Sequence, residues 1–175
     1  MSGIRNSFAR TSGRTIKANF TRPNNTDQYT AGDVICNSTS APVIMTFSGA
    51  VNTDFQMGII AQATLIDSAN QSTKLDAELW LFDTTVTMDN DNAAFTPTDT
   101  ECGTLVGIIP FSTSYWKAGD ATSGAGGNAV CHVQGLAIPF NVVHASNALY
   151  GILVARNAYT PVAQEVFTVR LHIID

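Results

Sequence analysis

The stretch FTVRLHI, residues 167–173, decides the fold class because its side chains alternate in character. In an extended chain, successive side chains point to opposite faces. Phe167, Val169, Leu171 and Ile173 therefore share one apolar face, while the residues between them form a polar face. This period of two predicts a β-strand with one face in a hydrophobic core.

A second stretch, LDAELWLFD at residues 75–83, alternates in the same way. One face carries three leucines, whereas the other face begins with two acids and ends with two aromatic rings. A strand whose second face turns apolar is expected to have packing partners on both faces near its end.

Short apolar runs with the same period recur along the chain, separated by clusters of Gly, Pro, Asn and Asp. No long window has the i, i+3, i+4, i+7 spacing of an amphipathic helix. Many short strands with short connections predict an all-β domain, folded as an antiparallel β-sandwich or jelly roll. The further predicted strands cover residues 15–20, 34–37, 42–47, 57–67, 104–111, 129–138 and 149–156.

Charge divides the chain into two parts. All fourteen acids follow residue 26, and five of the nine basic residues precede it: Arg5, Arg10, Arg14, Lys17 and Arg22. We interpret residues 1–14 as a flexible basic N-terminal arm and residues 15–175 as a single β-sandwich domain with an acidic surface.

The basic arm is the one segment whose charge suggests a function. A flexible cationic segment could contact an acidic patch of a neighbouring protein, neutralise phosphates on DNA or RNA, or remain a free tail. The acidic domain would repel a polyanion, and Phe8 is the only aromatic residue of the arm. We therefore favour a protein partner over direct nucleic-acid binding.

The opening residues lack the features of a targeting segment. They are polar, without a continuous apolar run, and no later stretch approaches the ~18 apolar residues of a membrane span. We expect a soluble protein that makes no membrane contact. Cys36, Cys102 and Cys131 are odd in number and far apart, which predicts buried free thiols rather than disulfides or a zinc site.

The motifs of common catalytic and cofactor sites are not found in the sequence. The glycine-rich SGAGGN, residues 123–128, lacks a phosphate-binding pattern and is interpreted as a hairpin tip. Asp89 and Asp91 have the spacing of a calcium loop, but the following residues break that pattern and favour an Asx-turn loop, with a weak surface cation as the alternative. Cys131 and His132 are adjacent, so on a strand they cannot form a thiolate–imidazole couple. We predict a non-enzymatic protein with no catalytic residue, cofactor or metal ion.

A glycan-binding or hydrolytic β-sandwich is the alternative from another functional class. Trp80, Trp116 and Tyr115 could stack on sugars, although Trp80 lies in an apolar strand that favours a core position. Asp76 and Glu78 share one strand face, but nothing in the sequence supplies the opposing carboxylate that glycoside hydrolysis needs.

Three segments resemble a family of tailed-bacteriophage virion structural proteins, the capsid cement or decoration proteins. They are NFTRPNNTDQYTAGDVI at residues 19–35, DNDNAAFTPTDTECGTLVGIIPF at residues 89–111, and LYGILVARNAYTPVAQEVFTVRLHII at residues 149–174. With the strand spacing between them, the resemblance covers nearly all of the chain after the arm.

The resemblance implies a β-sandwich homotrimer that binds the major capsid protein and stabilises the phage head. It implies a place on the capsid surface of the virion, after synthesis in the cytoplasm of the bacterial host. We predict that Arg5, Arg10 and Arg14 contact the capsid protein. A tail, baseplate or fibre-adaptor protein is the alternative within the same class.

Overall fold

The computed structural model describes residues 13–51, 56–119, 127–142 and 147–174. Within these ranges the chain forms eleven strands, one short helix, α1 (Asp99–Cys102), and one 3₁₀ turn at Thr113–Tyr115. The strands are β1 (Gly13–Thr21), β2 (Val34–Ile35), β3 (Met45–Ser48), β4 (Met57–Asp67), β5 (Ala77–Phe82), β6 (Leu105–Phe111), β7 (Trp116–Ala118), β8 (Ala129–Val133), β9 (Ile138–Asn141), β10 (Ala148–Ala155) and β11 (Val166–Ile174).

The strands form two antiparallel sheets. The first sheet has the order β1-β11-β4-β8-β7, and β9 also pairs with β4. The second sheet has the order β2-β10-β5-β6, and β3 also pairs with β10. The predicted all-β, two-sheet architecture is confirmed, while jelly-roll connectivity stays a prediction.

The stretch that opened the sequence analysis lies near the middle of the first sheet. Phe167, Val169, Leu171 and Ile173 are all fully buried, as their alternation predicts. Their strand, β11, has β1 on one side and β4 on the other, so both of its backbone edges are satisfied. A strand paired on both sides and apolar on one face fixes the register of its neighbours.

Strand β4 contains an irregularity that changes which of its residues face the core. The register with β11 shifts between His172 and Ile173, leaving Ala61 without a partner in β11, while its backbone oxygen accepts from the backbone N–H of Leu136 at 3.0 Å. Before this bulge Gly58 and Ile60 are buried, and after it Ala63, Leu65 and Asp67 are buried. The extra residue lets one long strand serve two neighbours, β9 along its first half and β8 along its second.

The second sheet is covered on both faces. Its inner face packs in the main core, whereas its outer face carries a second apolar cluster that includes Phe82, Val86 and Ile152. Trp80 and Phe95 join this outer cluster, with ring centroids 5.2 Å apart in an edge-to-face arrangement. The prediction that residues 75–83 meet apolar partners on both faces is confirmed.

Two features of the strand prediction are wrong. The predicted strand 129–138 ends early: β8 stops at Val133 and β9 begins only at Ile138, because the chain turns at Gly135, whose φ of +72° suits glycine. The three-residue strand β7 was not predicted, since three residues are too few to show an alternation. It pairs with β8 as a hairpin, but most of the predicted tip at residues 123–128 lies outside the described residues.

The predicted basic arm, residues 1–14, overlaps the first described strand by two residues, and the division into arm and domain stays a prediction. Strand β1 begins at Gly13, where it pairs with Ile174. Arg14 therefore lies in the sheet, and its guanidinium donates to the backbone oxygen of Gly49 at 3.1 Å. The backbone pairing of β1 reaches Gly13 because β11 continues to Ile174, which pairs with it. Only residues 1–12, which lie outside the described residues, are left for the arm.

The prediction of buried thiols holds for Cys36 and Cys131, but Cys102 is exposed at the end of α1. All three cysteines are free. Cys131 is in the core while His132 points outward and hydrogen-bonds Thr64, so the opposite orientation of this pair is confirmed. In the part of the chain that is described, no helix has the length and apolarity to cross a membrane.

Candidate functional site

The two ends of the sandwich differ in chemistry. At the first end, β1 begins, β11 finishes and β4 begins, and an open groove lies there; we call it the groove end. At the opposite end, β1 finishes, β11 begins and β4 finishes, and buried polar side chains meet there; we call it the network end. Each end is a candidate site.

The first part of the network end is a buried ion pair. Nη2 of Arg22 lies 3.0 Å from Oδ2 of Asp91, and both side chains are fully buried. Oδ1 of Asp91 accepts from the Tyr29 hydroxyl at 2.7 Å and from the backbone N–H of Cys36 at 2.9 Å. Nε of Arg22 donates to the Tyr29 oxygen. A buried ion pair is tolerated when its remaining hydrogen-bonding atoms are satisfied, as here.

This ion pair overturns the sequence-based alternative of a cation site. Asp91 is held by an arginine, and Asp89 accepts from the backbone N–H of Thr96 at 2.8 Å, as expected for a carboxylate that organises a loop. Across the described ranges, no group of three or more His, Cys, Asp or Glu side chains could hold a metal ion.

The second part of the network end is a buried pair of carboxyl groups. Asp67 and Glu165 are 3% and 1% exposed, and they share a hydrogen bond. The Tyr159 hydroxyl lies 2.5 Å from Oε1 of Glu165 and 3.2 Å from Oδ2 of Asp67. Burial, together with the hydrogen bond and negative charge of Glu165, raises the pKa of Asp67 to about 9. The pair therefore retains a proton at neutral pH.

The backbone joins the two parts of this network. Tyr29 and Tyr159 form an isolated antiparallel bridge, and the backbone N–H of Arg22 donates to the backbone oxygen of Glu165 at 2.9 Å. Burial raises the pKa of both tyrosines, which keeps their hydroxyls protonated as donors. Side chains this deeply buried are closed to a substrate, so the network end fastens loops from both sheets together.

The groove end is open and mostly apolar. The groove has a volume of about 750 Å³. Its lining includes the buried Gly58 and Phe140, together with Met57 and Ile59, which are 57% and 45% exposed. The remaining lining residues are Asp83, Leu105, Val106, Pro139, Asn141 and Ile174. Large exposed apolar side chains grouped around a groove are typical of a binding surface.

Gly58 allows the Phe140 ring to lie close to the backbone of β4. A Cβ atom at this position would be 2.9 Å from Cζ of Phe140 and 3.0 Å from Cγ2 of Ile173. Any larger residue would force the Phe140 ring or the Ile173 side chain to shift. Because Gly58 and Phe140 both line the groove, the shape of the groove depends on this glycine.

One carboxylate lies in this apolar lining. Oδ1 of Asp83 is buried and accepts no hydrogen bond from any described residue. Partial burial raises the pKa of Asp83, because desolvation disfavours the charged form. An unpartnered carboxylate oxygen favours a ligand that brings a hydrogen-bond donor or a positive charge.

The structure separates the residues that the sequence analysis proposed for function. Arg14 lies on β1, while Arg5 and Arg10 lie outside the described residues. Trp116 is 7% exposed and donates to the backbone oxygen of Leu75 at 2.6 Å, so it cannot stack on a sugar.

The other residues that could bind or hydrolyse a glycan either have partners within the protein or do not lie together. Glu78 accepts from Arg156 and from Nε1 of Trp80, while Tyr115 is 52% exposed. Burial raises the pKa of Asp76, but no described partner forms an opposing pair with it across a cleft. The arrangement gives the glycan alternative no support.

Sequence reasoning missed the groove, although a signal was present. Met57 and Ile59 occupy positions of β4 that alternate with buried residues, where a one-sided strand would carry polar side chains. Asp83 gave no such signal, since its environment depends on β6 and β9.

Comparison with known proteins adds no family assignment to this chain. No protein-family model matches it, and no curated protein matches it. The functional interpretation therefore depends on the residues and contacts described above.

Proposed function

We propose that this chain is a non-enzymatic structural protein of a tailed-phage virion, a capsid decoration protein that binds the major capsid protein and stabilises the head. The observation that carries the proposal is the groove end, where exposed apolar side chains lie beside the start of β1. Gly13, the first described residue of β1, lies at this end, and the sequence before it carries Arg5 and Arg10. The resemblance of three segments to decoration proteins supplies the virion context.

Association explains the groove end better than chemistry does. Burying the exposed parts of Met57 and Ile59 against a partner would contribute about 1 kcal/mol each, roughly half the value for a fully exposed side chain, because the two are 57% and 45% exposed. Basic residues around such an apolar centre would steer the domain toward an acidic patch. A homotrimer would suit a capsid position with local threefold symmetry, and its subunits would present three such ends.

The rigidity of the body supports this role. A decoration protein must hold its contact residues in place under load, and the network end ties loops of both sheets through buried hydrogen bonds. The main core also runs through both sheets.

Binding to purified phage heads that lack this protein tests the proposal. We expect Met57→Ser/Ile59→Ser to weaken head binding at least tenfold, about 1.4 kcal/mol, because the apolar contact is lost. Arg5→Gln/Arg10→Gln should also weaken head binding. The loss should be larger at low salt, where the attraction between opposite charges is less screened. Val43→Ser is the matched control, since Val43 is 65% exposed but does not line the groove. Unchanged binding of the groove variant would overturn the proposal.

The copy number of the chain in purified particles separates the head from the tail. A decoration protein is expected in numbers that follow the capsomers, whereas a tail or baseplate component is present in far fewer copies. A low copy number would favour the tail alternative, and absence from particles would contradict both.

A further inference from the structure

The outer face of the first sheet, which is turned away from the main core, gathers positive charge. Four of its strands place lysine, arginine or histidine side chains there: Lys17, Lys117, His132, Arg170 and His172. The six described strands of this sheet contain one acid, Asp67, and its side chain is buried on the opposite face. We call the outer face, with these five side chains, the basic face.

Two cations of the basic face are directly opposed. Lys17 on β1 pairs with Arg170 on β11, and both side chains are exposed. Side chains in such a pair are about 5 Å apart at Cβ, and like charges placed this way are destabilising. Neither cation has an ion pair or a side-chain hydrogen bond with another described residue. A local conflict without compensation in the free chain is typical of a functional surface.

An open depression surrounds this cation pair. It has a volume of about 460 Å³, and its lining consists of Thr15, Lys17, Ile66, Thr168 and Arg170. The two threonine hydroxyls can donate hydrogen bonds alongside the ammonium and guanidinium groups, and the lining contains no acid. A guanidinium binds both oxygens of a carboxylate through parallel hydrogen bonds. The depression therefore offers the donors that a carboxylate requires.

Positive charge continues across the same face. The row that begins with the cation pair runs through Thr64 on β4 to His132 on β8, and Nδ1 of His132 lies 2.8 Å from the Thr64 hydroxyl oxygen. Lys117 is exposed on the next strand, β7. With neighbouring strands ~4.8 Å apart, Lys117 lies ~20 Å from Lys17. An extended segment of about six residues spans this distance.

The charge of the whole chain favours a peptide over a nucleic acid on this face. All fourteen acids of the chain follow residue 26, but only four of its nine bases do. The affinity of a nucleic acid depends on the number of phosphates that bases neutralise, and this face offers few bases. The acidic remainder of the chain would repel a long polyanion, whereas a short acidic segment contacts the basic face alone.

A second copy of this chain is a poorer occupant, because many of its acids already have partners. Asp33, Asp89 and Glu101 each accept backbone N–H hydrogen bonds within their own loops. Glu78 is paired with Arg156. Carboxylates that organise loops are not free to enter the depression of a neighbour.

We propose that the basic face is a docking surface for an acidic segment of a partner protein, with one carboxylate of that segment held between Lys17 and Arg170. The bound carboxylate supplies the counter-charge that this pair lacks in the free chain. None of the residues of the basic face lines the groove, so the proposal concerns a separate surface and holds whether or not the chain belongs to a virion.

Titration of the full chain with a synthetic hexaglutamate peptide at low salt, followed by amide NMR, tests the proposal. We expect saturable binding, with the largest signal shifts at Lys17, Thr168 and Arg170. Lys17→Gln/Arg170→Gln should weaken binding at least tenfold, because the carboxylate loses both cations.

A matched variant separates the site from attraction by net charge. Lys74→Gln/Arg156→Gln removes the same two positive charges outside the basic face and should change binding less than twofold. Arg5 and Arg10 are present in every variant, so their effect is common to all. Equal losses in the two double variants, or unchanged binding in both, would overturn the proposal.

Reversing one charge separates binding from stability. In Lys17→Glu the new carboxylate lies opposite Arg170, which turns a like-charge pair into an opposite-charge pair. The urea midpoint should stay the same or rise, while binding of the peptide should fall at least tenfold. A lower midpoint would show that Lys17 stabilises the free chain, and it would overturn the proposal.

Two measurements identify the occupant. A hexathymidylate oligonucleotide should bind more weakly than the peptide at the same salt. Tighter binding that depends on Lys17 and Arg170 would assign the face to nucleic acid and overturn the proposal. Sedimentation at low salt should give the full chain and Lys17→Gln/Arg170→Gln the same oligomeric state. A smaller species in the variant would assign the face to a contact between copies and would also overturn the proposal.

Discussion

Arg22 shows how the surroundings of a single residue set its role. By sequence it belongs with the basic residues that open the chain, yet its side chain is fully buried against Asp91 and Tyr29. Desolvation of both charges opposes most of their attraction, so the pair adds little net stability compared with a well-packed apolar pair. Removing one partner alone strongly destabilises the fold, because the remaining charge is then buried without a counter-charge.

We predict that Asp91→Asn lowers the free energy of unfolding by about 3–5 kcal/mol. Arg22 would lose its counter-charge while remaining inside the protein. The double variant Arg22→Met/Asp91→Leu should recover part of this loss, since no charge is left buried. Urea denaturation followed by circular dichroism measures both.

The exposed ion pair between Glu78 and Arg156 provides the control. Its side chains are 28% and 33% exposed, so solvent screens the interaction. Glu78→Gln should cost about 1 kcal/mol or less. A similar cost for Glu78→Gln and Asp91→Asn would contradict the buried-charge interpretation.

The carboxyl pair at the network end predicts how stability depends on pH. The pKa of Asp67 rises from its ordinary value of 3.8 to about 9 on folding, so the folded chain holds this proton more tightly than the unfolded chain. A group of this kind stabilises the fold below pH 4, and its contribution is lost as the pH rises toward 9. The Tm should therefore fall between pH 5 and pH 9, by about 2–4 °C for each kcal/mol lost.

Asp67→Asn should flatten this pH dependence, because the amide donates to Glu165 at every pH. Asp27→Asn, which removes a charge at an exposed position, should keep the slope of the original protein. Thermal melts of both variants at several pH values measure this pH dependence of the Tm. A slope that survives in Asp67→Asn would assign the pH dependence to another group.

At the scale of elements, the central strand β10 depends on a close approach between neighbours. Gly151 pairs with Met45 on one side and with Leu81 on the other. A Cβ atom at this position would be 2.8 Å from Cε2 of Phe47 and 3.0 Å from Cδ1 of Leu79. Both neighbours are fully buried, so neither can move aside freely.

We predict that Gly151→Ala lowers the free energy of unfolding by about 1–3 kcal/mol through overpacking. Gly107→Ala on the edge strand β6 is the control, since its Cβ would meet only the Ile138 side chain, at 3.1 Å. We expect a smaller loss there because a partly exposed side chain can shift. Chemical denaturation of both variants provides the comparison, and equal losses would show that the core around Gly151 adapts.

At the scale of the whole molecule, the two sheets are expected to unfold together. The main core draws residues from both sheets, and the network end ties Arg22 beside the first sheet to Asp91 in the loop that covers the second. Elements that share a core and a buried network lose their packing in one step.

The two tryptophans test this cooperativity, because Trp80 lies in β5 of the second sheet and Trp116 in β7 of the first. In Trp80→Phe and in Trp116→Phe, the fluorescence midpoint in urea should match the circular dichroism midpoint of the same variant. Because both midpoints are measured on the same variant, the effect of the substitution on stability cancels from the comparison. A gap between the two midpoints would show that one sheet unfolds before the other.

Much of the fold could be predicted because alternation is a local signal. The bounds of β4 agree with the prediction, and those of β11 and β10 differ from it by one residue at each end. The candidate site could not be predicted in the same way. Met57 and Ile59 give a hint as apolar residues on an outward face, but Asp83 takes its environment from strands that follow much later in the chain.

The sequence alone determined most of the longer strands and the buried face of β11, because side chains of an extended chain alternate wherever the strand lies. Only the tertiary structure decided which charged side chains are buried and paired, and where the groove lies. Arg22 and Asp91 are 69 positions apart, and the cost of burying either depends on whether the other arrives beside it. Such a free energy depends on distance in space, which no local pattern of residues contains.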